Sequence, residues 1–295
     1  MNQRIFNRKW ILFLWGIVIP LSFAQANLQY SALFKDGDYI KYDIYWSFLK
    51  VGSAEIKFTE PKTNEHDKGL YKIEFTVQTN PIVSSIYPVE NKIQSTLSVP
   101  ELNPIEYNKS LNEQDEKSNT TLTFDWDKKL LQKTKNKTAD SPIKLEAHTL
   151  DPLSLILSMC QYDFSKNTTL KQKVTDGGPI IEIEASHVSE LQIKTPSGTF
   201  DTRKIEVSTE EIKGIFKKSP DARVALFLSK DVPAIPVKLK SEVIVGHFYA
   251  NLTEGLYQGK PIKGTWTQPH SNKNFEDPQY SRPRLSPKFK GFKKR

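Results

Sequence analysis

The chain has 295 residues, of which 37% are hydrophobic and 26% charged, with a formal net charge of +8 and one cysteine. That length fits one large domain or two smaller ones, and a lone thiol excludes an intramolecular disulfide, so core burial must hold the fold. The charge is no sign of nucleic-acid binding by the body, which is essentially neutral: residues 1–26 carry +3 and residues 266–295 carry +6, which leaves about −1 for residues 27–265.

The N-terminus carries Arg4, Arg8 and Lys9, then an apolar run from Trp10 to Phe23, then Ala24-Gln25-Ala26. This is the order of a secretory signal peptide cleaved after Ala26. The run is about 14 residues, short of the roughly 20 that a bilayer-spanning helix needs, which places a transmembrane anchor second. The residue directly after the cleavage position is Asn27 rather than cysteine, and no adjacent Arg-Arg pair precedes it, so neither a lipid anchor there nor the twin-arginine route is indicated. The sequence therefore predicts an exported, soluble protein.

The body reads as strands. Leu70–Val77 alternates, with Tyr71, Ile73, Phe75 and Val77 on one face and Lys72, Glu74 and Thr76 on the other, the pattern of a half-buried antiparallel strand. Similar readings cover Tyr39–Phe48, Ser53–Phe58, Ile93–Val99, Ile105–Leu111 and Thr120–Trp126. After a break they resume at Ile180–Ala185, Val188–Ile193, Thr199–Val207, Arg223–Ser229 and Val237–Leu252. Turn residues join them, as at Lys35-Asp36-Gly37-Asp38, Thr175-Asp176-Gly177-Gly178 and Thr195-Pro196-Ser197-Gly198.

In the break, Asp151 suits a helix N-cap and Pro152 the first turn, after which Leu153, Ile156, Leu157 and Cys160 share one face. A short helix over about residues 152–162 is predicted, with its apolar stripe on the sheet. About a dozen strands with one helix do not fill the faces of a flat sheet. The expected fold is therefore all-β and mainly antiparallel, a sheet curled into a barrel, half-barrel or sandwich around either a packed core or a ligand cavity. Three segments follow: residues 1–26 as signal peptide, 27–265 as a single β domain, and 266–295 as a basic, Pro-rich tail expected to be disordered.

Several stretches together carry a family resemblance. Gly37-Asp38-Tyr39-Ile40-Lys41-Tyr42 leads to Trp46 and Val51-Gly52-Ser53-Ala54. Asn103-Pro104-Ile105-Glu106-Tyr107 precedes Asp151-Pro152-Leu153-Ser154, and Leu228-Ser229-Lys230-Asp231 precedes Ile235-Pro236-Val237. In this order, over about residues 33–253, the chain resembles the bacterial domain of unknown function 3108 family of exported proteins. The chain departs from that family's more usual aromatic-Ser-Asp-Asp pattern at Leu228 and Lys230. The resemblance implies an all-β periplasmic protein, with an extracellular location as the alternative, and no established activity.

Catalytic and metal signatures are missing from the sequence. His66, His148, His187, His247 and His270 do not stand at ligand spacing on one element, and no HExxH, CxxC or Gly-x-Ser-x-Gly pattern occurs. His148, Asp151 and Ser154 are catalytic residue types in one neighbourhood, but Asp151 and Ser154 also fit a helix cap. No catalytic residue, metal or cofactor is assigned, and the protein is expected to be non-enzymatic. Aromatic residues are the remaining signal, and the candidate ligand-binding set is Tyr42, Trp46, Phe124, Trp126, Leu153 and Leu157, lining an apolar pocket in the sheet.

The leading expectation is a binding or carrier module for an apolar or amphipathic ligand such as lipid. A second is an envelope scaffold that contacts a partner or an anionic membrane surface through Lys288, Lys290, Lys293, Lys294 and Arg295, the alternative being a solvated terminus. A third is an enzyme using His148 or His247 at an unrecognised site.

Overall fold

A computed structural model describes residues 34–59, 69–99, 101–208, 223–231, 233–243 and 246–265. The expected signal peptide, the basic tail with Lys288, Lys290, Lys293, Lys294 and Arg295, and histidines 66 and 270 lie outside the described residues.

The N-terminal half contains β1 (Tyr39–Trp46), β2 (Leu49–Thr59), β3 (Leu70–Thr79), the one-turn helix α1 (Pro81–Ser84), β4 (Glu90–Ser98), β5 (Pro104–Glu113) and β6 (Glu116–Asp125). Then come β7 (Leu130–Lys135) and three two-residue strands, β8 (Thr138–Ala139), β9 (Ile143–Lys144) and β10 (Thr149–Leu150). Helix α2 (Pro152–Gln161) separates these from β11 (Thr169–Val174), β12 (Ile181–Thr195), β13 (Gly198–Val207), β14 (Arg223–Ser229), β15 (Pro236–Val243), β16 (Gly246–Tyr257) and β17 (Lys260–Pro261).

All the strands belong to one sheet, antiparallel except for the short parallel pairing of β10 with β11. From β2 to β7 each strand pairs with the next, and so it is from β11 to β16; the halves join where β1 lies between β2 and β16. The expectation of a barrel or half-barrel is not met. The pairing follows one open path, with β10 at one end and β8 and β9 on β7 at the other, and no ladder joins these ends among the described residues. The physical reason is visible at the ends themselves, where β8, β9 and β10 have two residues each. Strands so short offer too few ladder hydrogen bonds to zip the ends together, and α2 packs on β4, β10 and β11.

Sequence explains α2 directly. The Asp151 side chain accepts from the backbone N–H groups of Leu153 and Ser154, the Ser154 hydroxyl accepts from the Asp151 N–H, and Pro152 occupies the first turn. This reciprocal cap satisfies orphan donors of the first turn. Leu153 and Leu157 enter a core with Ile40, Tyr42, Ile56, Phe58, Tyr71, Leu97, Tyr107 and Leu122. Met159 and Cys160 enter a second core with Phe164, Leu170, Ile183 and Ile205. The unbroken apolar run Val224–Leu228 in β14 feeds both sheet faces, with Leu226 and Leu228 in the second core and Ala225 and Phe227 in a third cluster with Ile193 and Val237. Such a run is what a strand buried on both sides requires.

Candidate functional site

The six residues expected to line a pocket do not come together around one. Tyr42, Phe124, Leu153 and Leu157 are buried in the first core, where the Tyr42 hydroxyl donates to the Pro236 carbonyl at 2.8 Å. Trp126 packs against that core, stacks on Phe124 with ring centroids 6.1 Å apart, and donates its indole N–H to the Pro104 carbonyl at 2.7 Å. Trp46, at the end of β1, is 44% exposed.

A cavity of about 20 Å³ lies beneath α2, lined by Phe34, Ile40, Phe58, Leu153, Leu157 and Cys160 among others. Ligand pockets are usually about 300–1,000 Å³, so this one holds no more than a water-sized group. Phe34 and Phe58, stacked at 3.8 Å, fill the neighbouring space. Burial pushes the Cys160 thiol up to about 12, which leaves it un-ionised and unreactive at neutral pH.

The histidines are dispersed. His148 is exposed in a turn at φ 58°, while Asp151 and Ser154 direct their polar atoms to the helix N-terminus. His187 lies at a β-bulge in β12, and His247 is exposed on β16 beside Tyr249. Among the described residues no group of three His, Cys, Asp or Glu could hold a metal ion.

The sheet instead exposes apolar side chains at one end. The two-residue turn Ser47-Phe48 joins β1 to β2, with Ser47 at φ 54° and Phe48 85% exposed. Trp46 pairs with Leu49 on one side and Phe248 on the other, and the Ser47 N–H donates to the His247 carbonyl at 2.8 Å. Asn80 fixes α1 against this turn: its backbone N–H donates to Val51 O at 2.9 Å and its amide to Lys50 O at 2.7 Å, while its side-chain oxygen caps α1 by accepting from Val83 N. Ile82, Ile86 and Tyr87 follow, the two isoleucines being 79% and 81% exposed.

These apolar residues form one continuous end across β16, β1, β2 and α1. No Asp, Glu, Lys or Arg occurs in residues 44–49 or 75–89, and on β16 the exposed His247 adjoins Phe248. Sequence reading singled out only Trp46 of this group. The available signal was the uncharged run between Pro81 and Pro88, where isoleucines stand in a turn without strand alternation.

Residues 41–253 match the family described as "Protein of unknown function (DUF3108)". The chain belongs to this family. Among curated proteins none matches significantly. Among solved structures, the DUF3108 chain is similar to the "Beta-barrel-like Protein of Domain of Unknown Function DUF1849 from Brucella abortus", at 7% identity and a TM-score of 0.52, covering 75% of this chain and 98% of that one. It is also similar to the "hypothetical protein CT021 from Chlamydia trachomatis", at 9% identity and a TM-score of 0.33, covering 82% and 97%. The Brucella likeness concerns the fold alone.

Proposed function

We infer that this member of the DUF3108 family is an exported, non-enzymatic binding module that takes an apolar or amphipathic ligand, lipid first among them, on the uncharged end of its sheet. The observation that carries this reading is the continuity of exposed Phe48, Ile82 and Ile86 with Trp46, Leu49 and Phe248. Isolated apolar residues on a surface are ordinary, whereas a contiguous group signals contact with something apolar. The leader sequence that ends at Ala26 supports export to an envelope where lipid is the abundant apolar material.

Packing explains why the contact is at the surface rather than inside. Leu153 and Leu157, expected at a pocket wall, are core side chains, and the space next to them is about 20 Å³. An acyl chain would have to displace α2 to enter.

The test is native mass spectrometry of the mature protein, purified without detergent, with dodecylphosphocholine added below its micelle concentration. Adducts are expected on the wild type and should be lost in the doubly substituted Phe48→Asp, Ile86→Asp protein. Equal adduct formation in both proteins would remove this end as the site.

A further inference from the structure

We propose that the occupant of the uncharged end is the surface of a zwitterionic lipid bilayer, into which the Ser47-Phe48 turn and α1 dip while the sheet stays in water. This rests on the reading of that end as the binding site and names its partner. Three features of the end select a bilayer over a soluble ligand or a protein.

Shape is the first. Phe48, Ile82 and Ile86 stand 79–85% exposed on two adjacent turns. At that exposure their side chains protrude into solvent. A protein partner needs a complementary concavity, but fluid acyl chains close around any protrusion. Interfacial segments seat their apolar groups about 5–10 Å deep, at the headgroup and acyl boundary.

The order of side chains is the second. After the three most exposed groups come Leu49 at 51% and then Tyr87 and Trp46, 46% and 44% exposed. Tryptophan and tyrosine have an apolar ring and a polar tip, and they favour the headgroup level.

Charge is the third. No Asp, Glu, Lys or Arg of residues 44–49 or 75–89 has to leave water when the end inserts, and the first charges beyond them are two ion pairs, the exposed Glu90 and the hydrogen-bonded Glu113. Lys50 meets Asp43 at 2.7 Å, Lys92 meets Glu74 at 2.9 Å, and the Glu113 carboxylate accepts from the Asn91 amide at 2.6 Å. A rim that carries both signs of charge complements phosphocholine or phosphoethanolamine, which also carry both. It offers no excess of cations for an anionic surface.

The experiment uses the full mature chain and phosphatidylcholine vesicles in 0.5 M KCl, where the Debye length is about 4 Å and tail electrostatics are screened. Binding is read by co-sedimentation, and depth by quenching of tryptophan emission with bromine-labelled acyl chains, with Trp46→Phe identifying the reporter. Retained binding, quenching that Trp46→Phe removes, and a tenfold or greater loss in Phe48→Asp or Ile82→Asp are expected. Both substituted side chains are solvent-exposed, so unchanged thermal melts will show that the fold persists.

Binding that needs anionic lipid and vanishes at 0.5 M KCl would assign the contact to the basic tail and overturn the inference. So would a dimer in solution dissolved by the same substitutions. Failure on vesicles with retained dodecylphosphocholine adducts would overturn the bilayer partner and leave the ligand-binding reading standing. Failure of both would overturn both.

Discussion

The Ser95 hydroxyl on β4 donates a 2.6 Å hydrogen bond to the Asp151 carboxylate, and both residues are buried where α2 begins. One carboxylate thus caps the helix with one oxygen and pins it to the sheet with the other. Asp151→Ala removes a cap worth about 1 kcal/mol and strands the Ser95 hydroxyl, at a further cost of about 1–3 kcal/mol. Urea unfolding midpoints of the two single variants and the double variant will show coupling, with Ser95→Ala costing little in the Asp151→Ala background.

Burial holds the Asp151 carboxyl above its ordinary range, against the opposing pull of the Ser95, Ser154 and Leu153 hydrogen bonds. The folded state therefore keeps this proton to a higher pH than the unfolded chain does. Its contribution is fully present below the unfolded carboxylate value of about 4 and is lost as pH rises through the raised folded value. Asp151→Asn should gain on the wild type as pH rises across that window. Denaturation curves at a series of pH values will test this, and a constant difference between the proteins would mean that Asp151 titrates normally.

Gly52 on β2 packs against the β3 backbone, and a Cβ at this position would lie 2.2 Å from the Gln78 carbonyl oxygen. The obstacle is main chain, so it cannot swing aside. Gly52→Ala should destabilise by about 1–3 kcal/mol, in the range of overpacking, and should increase hydrogen exchange at the amides of β2 and β3. A melt unchanged from the wild type would show that the strands separate at little cost.

Leu157 is 3% exposed between α2 and the sheet. Leu157→Ala should cost about 2–5 kcal/mol by removing buried methyl groups and enlarging the cavity. In the wild type Cys160 should resist a disulfide reagent at neutral pH until the protein unfolds. In Leu157→Ala it should react faster, by an amount that stopped-flow absorbance will measure.

Much of the fold was legible because strands and caps have local signatures. The alternation at Leu70–Val77 matches β3, and Asp151-Pro152 marks the start of α2 within a residue of the expected range. The predicted strands Ile180–Ala185 and Val188–Ile193 are one strand, β12, with a bulge between His187 and Ser189. Strand β7, Leu-Leu-Gln-Lys-Thr-Lys, and strand β11, Thr-Leu-Lys-Gln-Lys-Val, lack clear alternation, and their neighbours in the sheet define them.

Tyr42 and Trp46 show where local information stops. They lie on one strand four residues apart, and a period of two assigns both to one face. Tyr42 is 6% exposed, beneath a hydrogen bond to Pro236, whereas Trp46 is 44% exposed where β1 reaches the end of the sheet. Alternation says which face a side chain occupies. Cover over that face is supplied by residues more than a hundred positions away, such as Leu153 and Leu252.

By itself, the sequence determined most of the strands and the capped helix, because each depends on residues within a few positions of one another, and the family and the balance of charge, because both are read along the chain without its folding. Only the tertiary structure decided that the ladder stays open among the described residues, that the space beneath α2 is nearly filled, and that the apolar end lies bare. Those outcomes depend on which distant strands pair and on end strands of two residues, which offer too few ladder hydrogen bonds to close the path.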